Sequence, residues 1–191
     1  MEKIRLMLLL MLIVSTQSIY AQKVDIDVNK SKIEWYASKK VGGSHTGEIL
    51  LKSGHLELKD GKYVKGHFIV DMNTITNNDL KKKTLNDKLV NHLKSDDFFG
   101  IEKFPTAKLN IINISDFTNN KAIALGDLTI KGRTERISFE ITKNNNTYST
   151  KLEIDRSKFD VRYGSDSFFD NLGDKVINDI FILNIVINIT N

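Results

Sequence analysis

Hydrophobic and polar positions alternate with period two along most of the chain, which predicts strands with one buried face. The first run, 31–38, sets Ile33 and Trp35 against Lys32, Glu34 and Tyr36. The next, 44–59, carries Ile49 and Leu51, then Leu56 and Leu58 after a break at Ser53-Gly54. Asp60-Gly61 predicts a tight hairpin, because a type I′ turn needs φ > 0 at both central residues. It leads into 63–72, where Val64, Gly66, Phe68 and Val70 share a face. Further strands are predicted at 106–115, 121–131, 134–143, 147–155 and 176–190. Turns fall at Asn119-Asn120, Lys131-Gly132 and 143–146. The last strand puts Phe181, Leu183, Ile185, Ile187 and Ile189 on one side.

Two segments break this rhythm. Leu80, Leu85, Leu89 and Leu93 recur at near-helical spacing, which predicts a helix over 78–94 with Asn77 or Asn78 as N-cap. A second short helical or irregular segment is predicted at 166–175. Seven or eight strands at hairpin spacing suggest a closed antiparallel sheet, since closure removes exposed edges and about eight strands leave room for one small ligand. Alternation alone does not separate such a barrel from a two-sheet sandwich.

The N-terminus reads differently. Lys3 and Arg5 precede an unbroken apolar run from Leu6 to Val14, and Ala21 offers a small residue for cleavage. The run is too short to span a bilayer, which takes about 20 residues, so residues 1–21 are expected to be a secretory signal peptide. One domain, 22–191, then follows. The formal net charge of the whole chain is +4 and falls by one without the leader, too mild a balance for a nucleic-acid binder. Lys81-Lys82-Lys83 is read as a solvated helix face. With no cysteine in the chain, neither a disulfide framework nor a lipidated cysteine anchor is available. The expected location is the periplasm, or secretion, with no membrane span after cleavage.

Six ordered motifs then carry a family resemblance. His45-Thr46-Gly47-Glu48-Ile49 with Gly54-His55-Leu56, and Gly66-His67-Phe68-Ile69-Val70-Asp71-Met72, resemble the opening strands of the YceI family. Leu89 with the stretch from His92 to Phe99 resembles its helix end, and Lys103-Phe104-Pro105-Thr106-Ala107 the strand start that follows. Gly126-Asp127-Leu128-Thr129-Ile130-Lys131-Gly132 and Asp155-Arg156-Ser157-Lys158-Phe159 with Tyr163-Gly164 complete the series. The resemblance covers about 31–190. It implies an all-β, lipocalin-like eight-stranded antiparallel barrel with one inserted helix and a short second helical segment. It also implies a bacterial periplasmic location and a polyisoprenoid lipid with its tail inside the barrel, and it brings no shared catalytic activity or cofactor.

On that reading, Trp35, Phe68, Phe139, Ile141, Leu152 and Phe181 are the inward candidates for the wall of an apolar cavity; a filled core is the plainer role for each. The pairs Phe98-Phe99 and Phe168-Phe169 are candidates to cap one barrel end or plug the core. His45, Arg156 and Arg162 are candidate polar residues at a mouth. The plainer role for Arg156 is an ion pair with Asp71 or Asp127.

Two other classes stay open. One is a periplasmic stress-response or interaction protein with a solid barrel. The other is an enzyme: His45, His55 and His67 fall on neighbouring predicted strands, where a metal site is conceivable. The chain has no G-x-S-x-G, no H-E-x-x-H and no phosphate-cradling loop, and no histidine lies close in sequence to Ser165-Asp166-Ser167. The expectation is therefore a binding protein, not an enzyme, with no metal. The sequence leaves the oligomeric state open, a homodimer included.

Overall fold

The computed structural model describes residues 22–190; the leader read at 1–21 lies outside the described residues. Among the described residues there are ten strands: β1 (Gln22–Asp25), β2 (Lys32–Ser38), β3 (Ser44–Glu48), β4 (Leu50–Lys59), β5 (Lys62–Asp71), β6 (Thr106–Ile114), β7 (Lys121–Ile130), β8 (Arg133–Asn144), β9 (Thr147–Asp155) and β10 (Ile180–Asn188). One helix, α1 (Lys83–Lys94), is inserted between β5 and β6. All strands join one antiparallel sheet in the order β1-β4-β5-β6-β7-β8-β9-β10-β2-β3.

The sheet curls into a half-barrel because its ends are tied by the chain itself. β3, last in that order, runs through Ile49 straight into β4, beside the other end. At the bend the Ile49 N–H donates to the Ile33 carbonyl at 3.1 Å. The expected eight strands are therefore ten. The stretch 44–59 divides at Ile49, where it leaves β2 for β5, and β1 is added along β4. The break read at Ser53-Gly54 is a β-bulge, a register shift between Leu51 and Ser53.

Hairpin chemistry is as the sequence predicts. Asp60 and Gly61 (φ 53° and 74°), Asn119 and Asn120 (52° and 64°) and Lys131 and Gly132 (49° and 75°) all take positive φ, as type I′ turns require.

The ladder fails in one place. β8 and β9 pair only from Thr142–Ser149 to Asn144–Thr147, beside their turn. Beyond it the two strands diverge, and the Thr150 hydroxyl donates to the Glu140 carbonyl at 2.7 Å where a backbone rung would stand. A 3-10 turn, Arg156–Phe159, packs against β8 on the far side of this gap, with Phe159 and Val161 buried.

The helix starts later than its leucine spacing predicts. Asn77 caps a turn, not the helix: its Oδ1 accepts from the Leu80 N–H at 3.0 Å, and Lys82, the N-cap residue, makes no side-chain cap bond. Residues 76–79 are held elsewhere, along the outer edge of β3. The Thr76 and Asn78 N–H groups donate to the Glu48 and Thr46 carbonyls at 2.9 Å each, and the Thr46 N–H donates to Asp79 at 2.8 Å. This covers an edge strand that would otherwise template aggregation. The second helical segment shrinks to a 3-10 turn at Gly173–Lys175 within a run of turns.

Candidate functional site

The inward faces of the curled sheet enclose a cavity of about 180 Å³. Trp35, Phe68, Phe139, Ile141, Leu152 and Phe181 all line it, and so do Phe98 and Phe99. Trp35 is pinned by its indole N–H, which donates to the Thr76 carbonyl at 3.0 Å. Gly47, opposite it on β3, leaves room for this contact. A Cβ there would sit 1.9 Å from the Thr76 oxygen and 2.6 Å from Trp35 Nε1. Phe98 and Phe99, just beyond the C-terminus of α1, pack edge to face with centroids 5.0 Å apart and line that end of the cavity.

The opposite end has an aromatic lining that the sequence reading missed. Tyr63, Phe117 and Tyr148 cluster there, with Tyr148 edge-on to Tyr63 at 5.6 Å and to Phe117 at 6.2 Å. The Lys143 ammonium lies 5.9 Å from each of the three ring centroids. The Tyr148 hydroxyl is buried and completes no hydrogen bond among the described residues. Burial pushes its pKa up, and the nearby Tyr63 phenol adds to the effect. Phe117 lies in a loop, where no periodicity could have flagged it. Leu183, Ile185 and Ile187 on β10 also line the cavity, and their shared face with Phe181 was the signal that could have found them.

The polar candidates do not converge on a mouth. His45 Nδ1 and Asp79 Oδ2 are 2.8 Å apart on the outer side of β3, away from the cavity. Burial works against the Asp79 charge, but bonds from the Thr46 N–H, His45 and Asn77 outweigh it and hold the carboxyl down at about 2. Arg162 is exposed, and its Nε donates to Asp160 at 2.6 Å. Phe168 and Phe169 neither cap nor plug the barrel: both are exposed, and the Arg162 guanidinium stands over the Phe168 ring at 5.1 Å.

Arg156 does reach the cavity wall, but its donors are already engaged. Its side chain is 2 % exposed. Nε donates to the Asn178 carbonyl, one terminal nitrogen to Val161 and Tyr163, and the other to Ile177, all at 2.8–3.1 Å. Its ion-pair partner is Asp179, at 3.2 Å, and not Asp71 or Asp127. Asp71 accepts from Asn73 beside the turn at 72–74, and Asp127 pairs with Arg136. Burial pushes the Arg156 pKa down while the Asp179 charge opposes the shift. The residue ties the loop after β9 to the chain entering β10.

The other chemistry raised by the sequence is dispersed. His55 and His67 are cross-strand neighbours with ring centroids 5.7 Å apart, while His45 sits with Asp79. No group of three metal-ligating side chains forms among the described residues. The Ser165 and Ser167 hydroxyls donate to Asp179 at 2.9 and 2.6 Å. No helix among the described residues is long and apolar enough to cross a membrane.

An apolar, curled antiparallel sheet with this motif order is matched along its length: the YceI-like domain family covers residues 25–189. The chain belongs to the YceI family. Among solved structures it is similar to BcnA of Burkholderia cenocepacia, with TM-score 0.66 and 24 % identity over 87 % of this chain and 100 % of that one. It is also similar to a polyisoprenoid binding domain from Saccharophagus degradans implicated in plant cell wall breakdown, with TM-score 0.60 and 13 % identity over 87 % and 97 % of the two chains. These likenesses carry the fold. A UPF0312 protein of Staphylococcus aureus (strain bovine RF122 / ET3-1) is 43 % identical over 61 residues, which span 32 % of this YceI chain and 33 % of that protein. The match thus covers about a third of that relative's length.

Proposed function

We propose that this YceI protein is exported and holds the apolar tail of an isoprenoid-like lipid inside the half-barrel, for storage, transport or sequestration, without catalysing a reaction. The observation that carries the reading is the cavity, which runs from Phe98 and Phe99 to Tyr63 and Tyr148 between apolar walls. The leader-like pattern at 1–21 and the similarity to the polyisoprenoid binding domain of Saccharophagus degradans support the same reading.

The physics asked of the site is desolvation. Burying a prenyl chain gains about 0.8 kcal/mol per methylene-sized unit, so ten units offer roughly 8 kcal/mol before ordering and docking losses. A dry cavity of roughly 150 Å³ is enough for benzene, and drug-sized sites run to about 300 Å³ and more. At about 180 Å³, the cavity takes a short segment of tail as it stands. A longer tail needs side chains such as Phe68 or Phe181 to turn aside, or leaves its remainder outside. Arg156 is saturated and the cavity walls are apolar, so recognition rests on tail length and shape.

Trp35 provides the assay, being the chain's only tryptophan and part of the wall. Titration with geraniol, farnesol and geranylgeraniol is expected to change its emission, with affinity rising along the series until the space is filled. Ile185→Phe, which narrows the cavity and leaves Trp35 as the only tryptophan, is expected to weaken binding of all three. Unchanged emission with every probe, together with a lipid-free native mass for protein from its own host, refutes the proposal and favours the filled-barrel interaction protein.

A further inference from the structure

Scattered exposed apolar residues are ordinary on protein surfaces; clusters are not. Between Tyr163 and Phe169 three aromatic side chains stand in solvent: Tyr163 is 48 % exposed, Phe168 38 % and Phe169 49 %. Val41, 60 % exposed, belongs to the adjoining loop, which an ion pair between Lys40 and Asp166 ties to the aromatic one. Leu85, also exposed, lies two turns along α1 from His92 and on the same helix face.

A polar network underneath holds these side chains outward. Ser165 is fully buried, its hydroxyl donates to Asp179, and it accepts from the Ser167 N–H at 3.1 Å. Arg156 donates to the Tyr163 carbonyl at 2.8 Å. The loop therefore buries its serine and presents its phenylalanines, the reverse of what burial energetics alone selects. The exposed rings also connect to the cavity. Tyr163 meets the His92 ring at 4.3 Å, and His92 meets Phe98, a wall residue, at 5.7 Å.

We infer that this end of the half-barrel is a membrane-docking surface, where Tyr163, Phe168 and Phe169 enter the interface of a phospholipid bilayer beside the stretch of cavity wall formed by Phe98. Exposed aromatics flanked by Arg162, Lys40 and Lys175 are the composition that interfacial segments use. Lys40 and Arg162 are already paired with Asp166 and Asp160, and Asp170 and Asp174 lie beside Lys175, so the patch carries no net positive charge and the rings supply the attraction. The choice of a bilayer over a protein partner rests on the proposed function: a water-insoluble tail must be collected where it resides, and this surface adjoins its compartment.

The test is flotation with phosphatidylethanolamine/phosphatidylglycerol vesicles. It uses protein recovered from an exporting host, with an identical N-terminus verified by intact mass for every variant. Phe168→Ser/Phe169→Ser is expected to lower vesicle partitioning at least tenfold and to leave the farnesol titration of Trp35 unchanged. Ile123→Ser, at a residue 50 % exposed on β7, is expected to partition like wild type. Equal partitioning of the double variant and wild type overturns the inference, as does a wild type that ignores vesicles, which leaves the rings to a protein partner. A wild type that floats with vesicles but binds no isoprenoid sinks the cavity reading and leaves the docking surface standing.

Discussion

Replacing Arg156 by methionine separates two roles that one residue could have. The side chain is 2 % exposed, donates to four backbone carbonyls and lies 3.2 Å from Asp179. Methionine keeps much of the volume and removes every donor. The Asp179 carboxylate, whose side chain is 15 % exposed, then loses its cation, and the carbonyls of Val161, Tyr163, Ile177 and Asn178 lose their partner. Breaking a buried ion pair from one side costs about 3–5 kcal/mol. The lost hydrogen bonds belong to the same network and do not add in full. For a chain of this size each kcal/mol moves the melting temperature by roughly 2–4 °C, so a drop of roughly 6–20 °C is expected in thermal unfolding followed by circular dichroism. Arg156→Met with Asp179→Asn is expected to regain part of the loss, because no buried charge is then left alone. A single variant that melts within about 2 °C of wild type while losing isoprenoid affinity refutes the structural role and restores Arg156 as a head-group contact.

Two further substitutions test the same reading of the fold. Gly47→Ala forces a Cβ to 1.9 Å from the Thr76 carbonyl oxygen; overpacking against backbone is expected to cost about 3 kcal/mol and to red-shift Trp35 emission, and near-wild-type melting with unshifted emission refutes the close approach. Asp79→Asn is expected to destabilise the protein at neutral pH. The folded carboxyl titrates at about 2 against an ordinary 3.8, so its contribution is complete above the unfolded value and is lost as pH falls from 3.8 toward 2. The stability difference from wild type should close across that window, and a difference that persists below it refutes the assignment.

The sequence by itself determined eight strand runs, though neither β1 nor the division at Ile49, because a residue's side of a pleated sheet follows from its parity, and the turns, because Asp-Gly and Asn-Asn supply the positive φ that hairpins need. It also carried the family motifs, and alternation together with one pair of phenylalanines named eight residues, from Trp35 to Phe181, that the cavity brings together. Parity names a face without saying what that face meets. Whether facing side chains touch or leave a void depends on the curl of the sheet, and that curl is set where β3 passes into β4 at Ile49 and where β8 leaves β9. The helix began late because residues 76–79 were drawn to the edge of β3, a contact between segments distant in sequence. Arg156 took Asp179 as its partner for the same reason, and Phe168 and Phe169 were turned outward by a serine buried beneath them. Local pattern is written in the chain, whereas partners across the fold depend on distances that only the folded structure creates.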